Sequence, residues 1–163
     1  MALSFYYLQK EKNMQSVFIQ SDITEIINRI NKLTPDTKGN WGKMSVSQML
    51  AHCNITYEMV YENIHPTPNT FVKLMLTLFV KKKVVNEKPY SQNGPTAPAF
   101  IIKDDKDFDT EKNRLIQYIT KTYELGEAYF DNKESHSFGK LSGSEWNNMF
   151  YKHLNHHLSQ FGV

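Results

Sequence analysis

Histidine is the residue type in this sequence best suited to chemistry. A neutral imidazole offers one lone pair and one N–H near physiological pH, so it serves as metal ligand, base or proton carrier. The chain has six histidines in 163 residues, and four of them, His136, His153, His156 and His157, lie in the final stretch. His153 and His157 form an H-x-x-x-H pair. At about 100° per helical residue, Trp146, Phe150, His153, His157 and Phe161 fall within an arc of roughly 80°. Two imidazoles therefore occupy the centre of a face that should point into the protein. Leaving such rings buried without partners costs roughly 1–3 kcal/mol each. Residues at i and i+4 lie one above the other, so both rings can reach a single metal ion. The alternative is a pair of hydrogen-bonded core histidines, or a pair lining a wet groove. The zincin motif H-E-x-x-H is absent, because Leu154 stands at the glutamate position, which excludes a protease of that type.

A third ligand has to come from another helix facing the same core, and His52 is the candidate, between Met49 and Thr56 at the edge of an apolar helical face. His156 sits off the centre of its helix, in a supporting or surface position. His65 precedes Pro66 in a loop and is a weaker candidate, and the role of His136, also in a loop, is open. Cys53 adjoins His52, but adjacent helical residues point about 100° apart. A Cys–His nucleophile pair is disfavoured, and Cys53 reads as a small buried hydrophobe.

These residues need helices to hold them. Ile23, Ile26, Ile27, Ile30 and Leu33 trace one helical face, opened by Asp22 and Glu25 and closed by Thr34-Pro35-Asp36. Ser45 and Gln48 form a capping box for a second helix, which carries Val46, Met49, Leu50, Cys53, Tyr57, Val60 and Tyr61 on one side. That helix should end before His65-Pro66. The apolar stretch from about Thr70 to Lys82 reads as a short core helix with a solvated lysine end. Residues 86–100, with Pro89, Gly94, Pro95 and Pro98, read as a long ordered loop. A helix follows from about 104–107 to Tyr129, with Phe108, Leu115, Ile119 and Tyr123 inward. Residues 131–141 read as a loop. Ser142 and Glu145 form a second capping box, and the last helix runs to about Gln160. The expectation is an all-α bundle of four substantial helices and one short one, with the long loop crossing over one end. It forms one domain over 14–163, behind an N-terminal extension over 1–13, and Met14 is a second candidate start.

Composition narrows the function classes. Forty per cent apolar and 13% aromatic residues suffice for a core. Nineteen basic against 17 acidic side chains leave no excess for gripping nucleic acid. A lone cysteine forms no internal disulfide and fits a reducing, cytoplasmic setting. No stretch approaches the ~20 apolar residues of a membrane span. Phe71–Lys83 has a second reading, as a basic amphipathic helix lying on a membrane.

Several motifs carry a family resemblance. Gly42-Lys43-Met44-Ser45-Val46-Ser47-Gln48-Met49-Leu50-Ala51-His52-Cys53 resembles the second-helix motif of DinB-like (YfiT-like) domains. Phe138-Gly139-Lys140-Leu141-Ser142, Trp146 and the run from Tyr151 to Val163 are similar to an uncharacterised branch of that superfamily with a terminal H-x-x-H-H-x-x-Q-F-G motif. Pro95–Phe100 extends the likeness, which covers most of the chain from Met14 onward. The resemblance implies a four-helix bundle in up-down-down-up order, often a homodimer. It also implies a three-histidine site for zinc, nickel or another divalent metal ion, matched here by His52, His153 and His157. Characterised relatives are thiol transferases or hydrolases, several using a low-molecular-weight bacterial thiol. Two departures, His157-Leu158-Ser159-Gln160 in place of H-R-G-Q and His136-Ser137 in place of H-P, remove no ligand but weaken transfer of substrate specificity.

Three histidines leave a coordination position open, as in catalytic sites. The expected function is a divalent-metal-dependent transferase joining a small-molecule thiol to an electrophile, or a related hydrolase. Tyr57, Glu58, Tyr61 and Glu62 lie down the helix from His52, but packing or solvated roles suit them equally, and no general base stands out. The alternative is a non-catalytic bundle whose histidines serve stability, metal binding or dimerisation.

Overall fold

The computed structural model describes residues 14–163, and the extension expected over 1–13 lies outside the described residues. Six α-helices and one small β-hairpin make up the described chain. Helix α1, Gln20–Asn31, buries Ile23, Ile26 and Ile30. It starts two residues before Asp22 and has no side-chain cap, because Ile19 stands at the N-cap, while the Asp22 carboxylate reaches back to accept the Ser16 N–H at 2.7 Å. Helix α2, Val46–Tyr61, has both halves of the Ser45/Gln48 capping box and is buried along most of its length. Helix α5, Phe108–Phe130, is capped by Asp107 and broken near its end at Gly126, whose φ of +73° is open to glycine at little cost. Helix α6, Gly143–Gln160, has the Ser142/Glu145 capping box.

Cross-helix contacts fix the directions. Asn54 meets Glu111, Glu58 meets Arg114 and Tyr61 meets Thr122, so α2 and α5 run parallel. Val17, just ahead of α1, meets Asn147 and Arg29 meets Asn155, so α1 and α6 run parallel. Thr56 pairs with His153 while Tyr57 stacks on Phe150, so α2 opposes α6. The four long helices are thus an up-down-down-up bundle. Its core joins Ile26 and Ile30 of α1, Leu50 and Tyr57 of α2, Leu115 and Ile119 of α5, and Trp146, Phe150 and Leu154 of α6.

Two segments differ from the sequence reading. The expected core helix is two helices, α3 over Thr70–Phe79 and α4 over Lys81–Val85, and α3 buries no residue at all. Its partly covered side carries Lys73, Leu76 and Thr77, with Lys73 reaching Glu134 of the hairpin, and its wider apolar face is outward. Periodicity shows that a helix has an apolar face but not which way the face points. Residues expected as a loop hold two strands, β1 (Lys133–Ser135) and β2 (Gly139–Leu141), paired antiparallel. Three-residue strands are too short to show alternation. The hairpin instead rests on its turn, where Ser135 Oγ accepts the Phe138 N–H and donates to the Gly139 carbonyl.

Residues 86–107 cross one end of the bundle and are held by the two helices that carry the histidines. At the start of the loop, Lys152 Nζ of α6 donates to the Lys83 and Asn86 carbonyls and to Asn86 Oδ1 at 2.6–2.9 Å. At its end, Gln48 Nε2 of α2 reaches the Asp104 carbonyl at 3.5 Å. A 3-10 turn over Pro98–Phe100, with proline at its first position, sets Phe100 between these anchors.

Candidate metal centre

His52 of α2 and His153 and His157 of α6 come together, with one ligand nitrogen from each lying within 4.8 Å of the others. His52 and His157 are buried and His153 is partly exposed. The three residues chosen from the sequence are therefore neighbours, although His52 is separated from the other two by about a hundred positions. Ring centroids are 4.5–4.9 Å apart.

Each ring has one nitrogen on an oxygen. His52 Nδ1 lies 2.7 Å from the Phe100 carbonyl, which can only accept, so the proton is on Nδ1 and Nε2 has the lone pair. Gln160 Nε2 donates to the Trp41 carbonyl at 2.7 Å, which turns its amide oxygen toward His157. His157 Nδ1 donates to that oxygen at 2.8 Å, again freeing Nε2. His153 Nδ1 lies 3.0 Å from Thr56 Oγ1, a hydroxyl able to donate or accept. Such outer partners fix the tautomer and orientation of metal-binding histidines. The His52 and His153 Nε2 atoms are 2.9 Å apart. Two lone pairs do not face each other at that distance without a proton or a cation between them, and the three converging nitrogens could hold a metal ion.

The electrostatics agree. Burial pulls the His52 pKa below its ordinary value, against the Phe100 carbonyl, which raises it. Burial and the neighbouring histidines drive His153 well below, and burial first of all pushes His157 down to about 3. All three are neutral near pH 7, the form that binds a metal.

Backbone and loop residues complete the setting. The Phe100 ring lies edge-on to His52 and His153 at 5.5 and 5.9 Å. Gly42 has φ +82°, a conformation that favours glycine, and a Cβ there would stand 2.5 Å from Gln160 Nε2 and push that amide from its place. Phe100, Thr56, Gln160 and the Trp41-Gly42 turn are site residues that the sequence reading missed. A signal existed for Thr56 and Gln160, at i+4 from His52 and i+3 from His157. None existed for a carbonyl contributed by a loop.

Residues 12–162 match the model of a family described as "Protein of unknown function (DUF1569)". The chain belongs to the DUF1569 family. No curated protein and no solved structure gave a match.

The other candidates in this DUF1569 member lie outside the triad. His156 is half-buried beside Trp41 and Tyr90, at the edge of the cluster. His65 pairs with Glu58 at 2.7 Å, and Glu58 also holds Arg114 at 2.5 Å. His136 sits in the hairpin turn with Nδ1 on Ser137 Oγ, near His65 in a cleft by the end of α2. Tyr57 stacks between Phe150 and Tyr118, Tyr61 bonds Thr122, and Glu62 bonds Tyr118. Those contacts direct all four down-helix residues to structural partners. Cys53 is buried against Met49, and burial pushes its thiol pKa far up, so it is a poor nucleophile.

Proposed function

We propose that this protein is a DinB-like metalloenzyme in which His52, His153 and His157 hold one divalent ion, such as zinc or nickel, for thiol transfer to an electrophile or a related hydrolysis. The observation that carries this reading is the orientation of the rings. Nδ1 of each faces an oxygen, and the opposite nitrogens of His52 and His153 meet at 2.9 Å. The up-down-down-up order and the resemblance of the second-helix and C-terminal motifs support the superfamily placement. A divalent ion bound there supplies Lewis acidity that favours the anionic form of a thiol or water. The protein's own part is to keep the imidazoles neutral by burial, to lock their tautomers, and to shield one side with the Phe100 ring. The lone buried Cys53 accords with a cytoplasmic setting.

Elemental analysis of protein purified without an affinity tag should find close to one equivalent of a divalent metal. His153→Ala should abolish it. Absence of metal from the parent protein, or retention by His153→Ala, would overturn the reading. A screen of thiols against electrophiles and of esters then tests the activity, and binding without any turnover would leave a metal site with no enzyme.

One observation favours a second, metal-free reading. If His153 carries its proton on Nε2, it donates to His52 Nε2, and its Nδ1 accepts from the Thr56 hydroxyl. His52 and His153 are then satisfied by protein atoms alone, as in a bundle whose histidines serve stability.

A further inference from the structure

We infer that α3 and the lysines after it form a docking surface for an anionic lipid membrane, at a place separate from the histidine cluster. Helix α3 is apolar yet buries nothing, and Phe71, Leu74, Leu78 and Phe79 are each more than half exposed. With Val72 and Met75 they cover an arc of roughly 160°, while the narrower side bearing Lys73, Leu76 and Thr77 faces the protein. The amphipathicity is thus inverted for a helix whose only neighbour is its own domain. Exposed contiguous apolar patches of this kind mark surfaces that meet another apolar phase.

Charge selects the occupant. Val80 keeps right-handed helical angles, and the Lys83 and Val84 amides both bond its carbonyl, so the helical path continues into α4. Lys82 and Lys83 then follow Phe79 at i+3 and i+4 and extend the outward face. Lys73 is paired with Glu134 and Lys81 with Glu145, but among the described residues no carboxylate pairs with Lys82 or Lys83. Residues 70–83 contain no acidic side chain. A second copy would bring the same lysines and no negative charge on this face. A surface of anionic headgroups over acyl chains answers both halves, because the rings and Leu side chains enter the interface while the lysine ends stay among the headgroups.

Sedimentation of the full chain with vesicles tests this. Binding to phosphatidylcholine vesicles containing phosphatidylglycerol should be about tenfold tighter or more than to phosphatidylcholine alone, and should weaken as salt is raised. Leu78→Asp, and separately Lys82→Glu with Lys83→Glu, should each weaken it about tenfold, with an unchanged circular dichroism spectrum. No binding to anionic vesicles, or undiminished binding by Leu78→Asp, overturns the proposal. So does a concentration-dependent dimer that Leu78→Asp dissociates, which assigns the face to a second copy. Amide protection over α3 without vesicles, lost on removing residues 1–13, assigns it instead to that segment and overturns the proposal equally.

Discussion

At the scale of single residues, Thr56 is the most informative side chain near the histidines, because its hydroxyl accommodates either tautomer of His153. With its proton on Nε2, His153 donates to His52 and accepts from Thr56; were a metal ion held at Nε2 as proposed, the proton would instead stand on Nδ1 and be donated to Thr56 Oγ1. Nitrogen-15 NMR of the imidazoles should show this exchange of tautomers when metal is added, with His52 and His157 remaining Nδ1–H throughout. Thr56→Val keeps the shape and removes the acceptor, so metal affinity should fall about 10–100-fold, the usual effect of losing such an outer partner. Competition with a chelator measures it, and unchanged affinity would dismiss the role given to Thr56. His52 and His157 were legible in the sequence because each is a polar residue at an apolar helical face. For Thr56 the i+4 spacing from His52 was the one signal, and it does not single out a threonine, which has many uses within a helix.

Two contacts link the site to whole elements. The α1–α2 turn holds the end of α6 through the Asn40 N–H on the Gln160 carbonyl and the Gln160 amide on Trp41. Gly42→Ala would strain a positive φ and displace Gln160. The expected outcome is a loss of about 1–3 kcal/mol in denaturant unfolding, with weaker metal binding in the same variant. Lys152 does the same for the crossing loop. It places an ammonium at the C-terminal carbonyls of α4, where the helix dipole favours a cation. Burial lowers its pKa to about 8, and three acceptors use all its protons. Lys152→Met should leave those carbonyls unpaired and cost about 1–3 kcal/mol, with faster amide exchange through residues 86–100. The Ser45 and Ser142 capping boxes were readable directly, because capping is a contact between residues three apart. The hairpin and the anchoring of the loop depend on partners distant in sequence.

The whole bundle should respond to acid through its buried histidines. His157 has a pKa near 3 when folded and near its ordinary value of about 6.5 when unfolded. Above pH about 6.5 neither state takes up the proton, so stability there does not depend on this group. As pH falls from about 6.5 toward 3, the unfolded chain binds the proton and the folded one does not, so stability is lost. For His157 alone, the metal-free protein should be about 2 kcal/mol less stable at pH about 5 than at pH about 7.5. His52 and His153 are shifted in the same direction and add to the loss. Urea midpoints at the two pH values measure it, and His157→Phe should reduce the difference. Among the described residues, no helix is long and apolar enough to cross a membrane.

The sequence by itself determined the helical class, most of the boundaries, both capping boxes and the three histidines. Those features rest on relations within one or two turns, and on a burial cost that singles out polar groups on apolar faces. Only the tertiary structure decided that His52 and His153 meet at 2.9 Å, and that a loop carbonyl and the Gln160 amide fix the tautomers of His52 and His157. It also decided that α3 turns its apolar face outward. Each of these depends on where a distant segment comes to rest, and helical periodicity has no term for that.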